Sequence, residues 1–491
     1  MPILFLGATT NGYDGSLLNG LQAMDPWQEY FGHPNGSTLG LSSAILQIGA
    51  FSAIFFCMSH QTYVRGLFLH VAQRRTLPIF LAVGLDVTVG IVILIGGVIL
   101  QVVPGVTTSM YIGGMFLVGL GSNTTQGSAP LLIMELAHPQ HRGKITTMYN
   151  TLWYCGSIVA AWTCYGTTSY STNMAWRIPT AVMVLMPALQ LLGVWALPES
   201  PRWLVSKDRH EQALTTLAKY HSNGNTQDPF VQWELSSIKD TLQMEKENSK
   251  QGWQVLLQTK GHRRRVLLLA PVSFFSQCSG NGMVSYYLHS ILNSVGMTDP
   301  HDQALFNGGL QIWSFFVAIC FSVFLVDKFG RRKLFLIAAV GMLVTFTIWT
   351  ACSAVFAKTG NAGAGKAVLA MIFLFYGVAG FAWPGLTVSY AVEILPYNIR
   401  AKGQTSLASL FNQYVNPIGL ERIAWKFYFV YIVILVIEVI TIYLIFPETR
   451  GLTLEEVGHL LDDDSKHSST QSSEIEEKSD VELVEYAEGK H

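Results

Sequence analysis

A ten-residue pattern that occurs twice constrains this chain more than any other feature. Glu135-Leu-Ala-His-Pro-Gln-His-Arg142-Gly-Lys144 returns as Glu393-Ile-Leu-Pro-Tyr-Asn-Ile-Arg400-Ala-Lys402, and 393 − 135, 400 − 142 and 402 − 144 all equal 258. Arg74-Arg75 and Arg331-Arg332 agree, at an offset of 332 − 75, or 257. Each copy lies between long apolar runs, so the chain reads as two copies of one unit in the same order and orientation. At 491 residues, 50% hydrophobic and only 13% charged, it is too apolar for an ordinary soluble protein. A bilayer can solvate such a unit.

A membrane-spanning helix needs about 20 predominantly apolar residues, and about twelve runs meet that requirement. In the first half these are spans 1 to 6, at about 2–22, 39–57, 78–101, 108–134, 147–170 and 177–197. Spans 7 to 12 fall at about 266–290, 304–326, 334–357, 366–392, 403–424 and 427–446. The expected fold is therefore all-α and polytopic, in two parallel six-helix repeats: 1–197, then 266–446. Parallel repeats of this kind occur in secondary transporters, with the binding site near the bilayer midplane between the halves.

The net charge of −1 gives no reason to expect nucleic acid as a partner, but the distribution of charge is informative. Basic residues collect in alternate loops: Arg65, Arg74 and Arg75; Arg142 and Lys144; Arg202 to Arg265; Lys328 to Lys333; Arg400 and Lys402. The positive-inside rule puts these loops, and both termini, in the cytosol. Between 198 and 265 the chain turns polar, with apolar residues at helical spacing, and reads as a cytoplasmic linker of amphipathic helices. Residues 447–491 form a tail: Thr453 to Leu461 opens like a capped helix, and the Ser/Asp/Glu/Lys-rich remainder reads as disordered.

Six cysteines fall in or at the ends of apolar runs without CxxC spacing, so neither a disulfide framework nor a metal site is expected. Residues 2–22 lack a basic n-region and a cleavage motif and carry Asn11 and Asp14, so they read as a span and not a signal peptide. The chain starts almost inside that span, which suggests a missing N-terminal tail. Asn35-Gly-Ser37 is a glycosylation sequon in an expected outer loop.

Three further motifs carry a family resemblance. Pro198-Glu-Ser-Pro-Arg-Trp-Leu204 follows span 6, Asp327-Lys-Phe-Gly-Arg-Arg332 follows span 8, and Pro447-Glu-Thr-Arg-Gly-Leu-Thr-Leu-Glu-Glu456 follows span 12. Together they resemble the sugar porter family of the major facilitator superfamily. Gln277-Cys-Ser-Gly-Asn-Gly-Met-Val-Ser-Tyr-Tyr287 and Phe411-Asn-Gln-Tyr-Val-Asn-Pro417 are similar to its fungal lactose-permease-like and hexose-transporter branch. The resemblance runs from Gly12 to Glu456.

It implies a cytoplasmic gate of Glu135, Arg142, Asp327, Arg331, Arg332, Glu393 and Arg400, extended by Glu199, Arg202, Glu448 and Arg450. Charges that pair when the halves meet and separate into water when they part can lock one side. As topogenic charges and helix caps alone they would not need the duplicated spacing.

An acid inside a span is costly without a job or a partner, and Asp14 in Gly12-Tyr13-Asp14 matches the first span of proton-coupled sugar symporters. In those proteins an Arg on span 4 pairs with the acid; here the matching position is Met115. Proton symport with Asp14 as carrier, facilitative uniport, and a neutral Asp14 that only hydrogen-bonds all stay open.

Sugars call for amides and hydroxyls for their OH groups and aromatic faces for their C–H side. By resemblance Gln277 is the binding Gln of span 7, and Tyr286 and Tyr287 are the tandem Tyr near the outer gate. Asn281 stands one place before the family's Asn, which falls at Gly282. Ser157 replaces a Gln common in hexose carriers, and Val388 stands where many place a Trp. Trp383, next to Pro384 at an expected helix break, is the alternative stacking residue. These replacements enlarge and depolarise the site, which suits a disaccharide such as lactose, with a hexose as the alternative. Asn412, Gln413 and Asn416 on span 11 are either further ligands or interhelical glue.

Residues 57–77 fit none of this. Span 2 should end in an acidic-basic loop like Asp327 to Arg332, yet only Arg74 and Arg75 remain, so the segment is either a retained intron or true divergence. A sugar sensor of the same fold is the competing function; the short tail after Pro447 favours transport at the plasma membrane. No nucleophile–base pair, metal-ligand cluster or phosphate loop points to an enzyme or a cofactor.

Overall fold

The computed structural model describes residues 2–34, 36–53, 82–137, 142–194, 197–248, 260–323, 330–394 and 406–448. Nearly all of these residues are helical, and each of the twelve apolar runs carries helix among the described residues. Span 1 is Pro2–Gln22, span 3 Ala82–Val102 and span 4 Thr108–Leu136; residues 36–53 form the described part of span 2. Span 9 runs Arg331–Thr359 and span 12 Tyr428–Ile445.

The remaining spans are interrupted. Span 5 consists of Arg142–Thr151 and Trp153–Thr167, and so begins earlier than its apolar run. Span 6 is Met174–Val182 followed by Leu185–Val194, with Pro179 inside the first piece. Span 7 breaks between Lys260–Cys278 and Asn281–Ser294, where Gly280 takes φ +100, a conformation that suits glycine. Span 8, Pro300–Val317, continues into a π-helical turn, Ala318–Val323. Span 10 is Ala362–Ala379 and Trp383–Ile394; Pro384 sits in the first turn of the second piece, where its missing N–H costs nothing. Span 11, Ser406–Ile423, ends in a short 3₁₀ turn.

Among the described residues, five helical stretches are long and apolar enough to cross a bilayer by composition: Met174–Val194, Pro300–Phe321, Arg331–Thr359, Ala362–Thr387 and Gln413–Ile445. Spans 1, 4 and 7 are less apolar because they carry amides, hydroxyls and glycines toward the protein interior. Span 12 has the inside-out pattern of a lipid-facing helix: Phe429, Val433, Ile437, Ile440 and Leu444 are exposed, whereas Tyr431, Leu435, Glu438 and Ile442 are buried.

The largest apolar cluster uses only residues between Leu268 and Phe446. A second is built on spans 1 to 6 and takes in Tyr287 from span 7. Three helices between the halves, Pro201–Ser206, His210–His221 and Pro229–Asn248, share a core of their own around Leu204, Leu217, Val231 and Leu235. His221 joins it to the membrane bundle: Nδ1 pairs with Glu234 Oε2 at 2.6 Å, and Nε2 lies 3.4 Å from the Leu136 carbonyl at the end of span 4.

Candidate functional site

Spans 1 and 5 cross with almost no side chain between them. A Cβ at Gly12 would fall 1.8 Å from the Trp153 carbonyl oxygen, and one at Gly156 would fall 1.8 Å from that of Thr9. The approach brings Ser16 Oγ to 2.6 Å from Ser157 Oγ and lets Trp153 Nε1 donate to Asn11 at 3.1 Å. Ser157, expected at the substrate, is therefore fully buried within the first half.

Two residues before Ser16, Asp14 is 5% exposed; the Ser122 hydroxyl faces its carboxylate, but neither oxygen is in hydrogen-bond geometry. It lines a small cavity with Leu17, Leu18, Gln101, Tyr111 and Met115. Met115, expected to replace an arginine, thus shares a wall with the carboxylate.

The break in span 7 lies among the other expected ligands. Gln277 stands three residues before Gly280 and reaches Ser276 Oγ at 3.5 Å. Asn281 opens the next helix; its carbonyl oxygen accepts from Tyr376 Oη at 2.9 Å, while its Oδ1 is buried without a partner. Tyr376 also lies 2.7 Å from Ser285 Oγ. Tyr287 donates to the Gln413 carbonyl oxygen at 2.5 Å, and the buried Gln413 side chain faces the Tyr286 hydroxyl with neither Oε1 nor Nε2 in hydrogen-bond geometry. Tyr431 donates to Asn416 Oδ1. Asn412 is helical, and its side chain lies outside the described set. Trp383 is 4% exposed, its ring set edge-on against Phe335 with centroids 5.1 Å apart, so in this conformation it stacks on protein.

Two polar residues of span 1 escaped the sequence reading. The backbone at Tyr287 leaves the helix (φ −133, ψ 28), which frees the Leu288 amide, and Asn19 Oδ1 accepts from that amide at 3.1 Å. Gln22 Nε2 donates to the Tyr286 carbonyl oxygen at 3.0 Å. These bonds tie span 1 to span 7 at the end of the bundle away from the linker helices. A single Asn and Gln in an apolar run gave some signal, but their partners depend on a kink that sequence does not reveal.

At the linker end, Ser200 donates to Glu135 Oε2, and its Oγ also accepts from Trp203 N at 3.0 Å, capping the first linker helix. Glu448 accepts from the backbone N–H groups of Arg331 (2.8 Å) and Arg332 (3.2 Å), so it caps span 9. Arg332 Nη2 donates to the Tyr443 carbonyl oxygen at 2.5 Å. Glu199 and Arg202 sit beside Ser200 with partners of their own. Arg142 and Glu393 are helical with undescribed side chains, and Asp327, Arg400 and Arg450 lie outside the described residues, as do Asn35, residues 57–77 and the tail beyond Glu448.

An acid that the sequence reading passed over lies in span 12. Glu438 is 0% exposed; its Oε2 accepts from Ser279 Oγ and its Oε1 has no hydrogen-bond partner. An ionisable residue amid Tyr-Ile-Val-Ile-Leu-Val-Ile was signal enough, but no family pattern drew attention to it.

Comparison with known proteins agrees with this architecture. The profile described as "Sugar (and other) transporter" matches residues 1–461. The chain is 27% identical over 483 residues to the MFS-type transporter criB of Aspergillus cristatus, covering 98% of this chain and 96% of that one. It is 29% identical over 394 residues to a low-affinity glucose transporter of Kluyveromyces lactis, covering 75% and 67%. Among solved structures, the xylose transporter XylE of E. coli in a partially occluded inward-open conformation superimposes with a TM-score of 0.69 at 19% identity, covering 91% of this chain and 98% of that one. At that identity the likeness is one of fold.

Proposed function

Because the chain belongs to the sugar (and other) transporter family of the major facilitator superfamily, we propose that it carries a disaccharide or hexose across the plasma membrane by alternating access. Its helices act as a transporter and not as an enzyme. The observation that supports a polar solute best is the set of buried, unsatisfied amide atoms on spans 7 and 11: Asn281 Oδ1 and both polar atoms of the Gln413 side chain. Such atoms cost about 1–3 kcal/mol each unless something hydrogen-bonds them, and a sugar hydroxyl both donates and accepts. Gln277, Tyr286 and Tyr287 complete that wall; Trp383 joins it only where the halves move enough to uncover its ring. In this reading 1–197 and 266–446 rock against each other, with 198–265, the tail and both termini in the cytosol.

A relative of this fold, XylE, is described as a proton:xylose symporter. Proton symport through Asp14 is the first mode proposed here. Met115 on the wall of the Asp14 cavity favours a second, facilitative uniport, because no guanidinium stands there to balance a carboxylate.

The test is counterflow of labelled lactose and glucose in proteoliposomes, with Gln277→Ala alongside. Wild type should exchange one of them saturably, and Gln277→Ala should weaken apparent affinity by about 1–3 kcal/mol. No exchange of either sugar, or of other mono- and disaccharides, would overturn the reading and leave a sensor as the better one.

A further inference from the structure

Leu435 and Ile442, the neighbours of Glu438 one turn away on either side along the buried face of span 12, are aliphatic. Packing alone would place a third aliphatic side chain between them, since a carboxyl in that setting is costly. Its contacts indicate what it does instead. Ser279, which donates to it, is the last residue before Gly280, where span 7 breaks. The Ser279 hydroxyl also lies within hydrogen-bonding distance of the Phe275 carbonyl oxygen, in the last turn of the first helix piece. A hydroxyl has one proton, so the acceptor that takes it decides whether that turn closes on itself or is tied to span 12. Trp383, the first residue after the break in span 10, lies on the same side as this carboxyl, with its Nε1 outside hydrogen-bond geometry.

We propose that Glu438 is a positioning residue: as the acceptor of the Ser279 hydroxyl it ties the break of span 7 to span 12 and so sets where Gln277 and Asn281, two residues either side of Ser279, meet the substrate. The inference rests on the reading of span 7 as a substrate wall. Among the described residues, the polar groups that packed elements turn toward Glu438 are Ser279 from span 7 and Trp383 from span 10. Span 9 has no charged residue between Leu334 and Ala357. Among the described residues no cation faces the carboxyl, so an uncharged acceptor can replace it.

Counterflow kinetics of Glu438→Gln, Glu438→Leu, Ser279→Ala and the Glu438→Leu/Ser279→Ala double variant test this, each normalised to protein incorporated and compared with Gln277→Ala. Glu438→Leu and Ser279→Ala should raise KM about tenfold with kcat little changed, and the double variant should be no worse than either. Glu438→Gln, which keeps the acceptor, should restore KM to within about twofold of wild type. Unchanged KM in Glu438→Leu, while Gln277→Ala is impaired, would overturn the inference and leave the substrate wall standing. Unchanged KM in Gln277→Ala would count against the wall itself. Glu438→Gln as impaired as Glu438→Leu, with uptake no longer dependent on pH, would also overturn it, because Glu438 would then carry a proton. If Glu438→Leu fails to fold, Ser279→Ala decides alone: a wild-type KM there sinks the proposal.

Discussion

Asp14 and Met115 share one small cavity, and the choice between the two proposed modes, symport and uniport, turns on that pair. A carrier must bind and release its proton as the halves exchange, whereas an acid that only fills space need not. If coupling runs through Asp14, Asp14→Asn should abolish protonophore-sensitive accumulation while counterflow stays within about twofold of wild type, since the amide keeps the shape of the site. Parallel accumulation and counterflow assays check this, and wild-type uptake that a protonophore leaves untouched would assign the protein to uniport. Asp14 was legible in sequence because a charge in an apolar run stands out on its own. Ser200 was not: its bond to Glu135 joins residues 65 positions apart. Gln413 was legible as a polar residue on span 11, but the lack of partners that makes it a candidate ligand belongs to the packing.

The spans could be read from the sequence because an apolar run of about 20 residues has few other stable environments. Of their interruptions, the break beside Pro384 in span 10 was legible from its proline; the one in span 7 was not. The chain has 44 glycines, and nothing local separates Gly280, which breaks span 7, from Gly156, which lies inside an intact piece of span 5. Their roles come from neighbours: Gly280 needs a positive φ, whereas Gly156 needs the absence of a Cβ so that spans 1 and 5 can touch backbone to backbone. Gly156→Val should therefore force these helices apart at a cost of about 1–3 kcal/mol. It should lower the melting temperature of the purified protein and break the Ser16–Ser157 contact. A variant melting with wild type would mean that the crossing relaxes without cost.

The duplication that organises the sequence reappears at the linker end of the bundle. Pro198-Glu-Ser and Pro447-Glu-Thr follow the sixth span of each half, and each places a polar side chain on a helix end: Ser200 on Glu135, and Glu448 on the start of span 9. Glu448 thereby has a capping role within its own half, whatever part it plays in gating. The paired expectation concerns Glu135 and Glu393. Glu135→Gln and Glu393→Gln should each slow turnover by weakening closure on that side, with apparent affinity changed less than tenfold, or about 1.4 kcal/mol. Wild-type turnover in both variants would reduce these charges to topology signals.

At the opposite end, the kink at Tyr287 frees the Leu288 amide, and Asn19 on the other half accepts its hydrogen bond. When the halves separate there, that amide and the Asn19 carboxamide lose each other, and neither can stay unsatisfied in an apolar bundle. Water must enter as the bond breaks, so opening is a hydration step. The transporter should then respond to osmotic stress: a polymer too large to enter the cleft, present on both sides of the membrane, should slow counterflow in wild type. Asn19→Ala, which no longer holds the amide closed, should show a flatter response. A wild-type rate independent of osmolality would mean that this end opens without taking up water. On this view the kink in span 7 links the working cycle to the activity of the solvent.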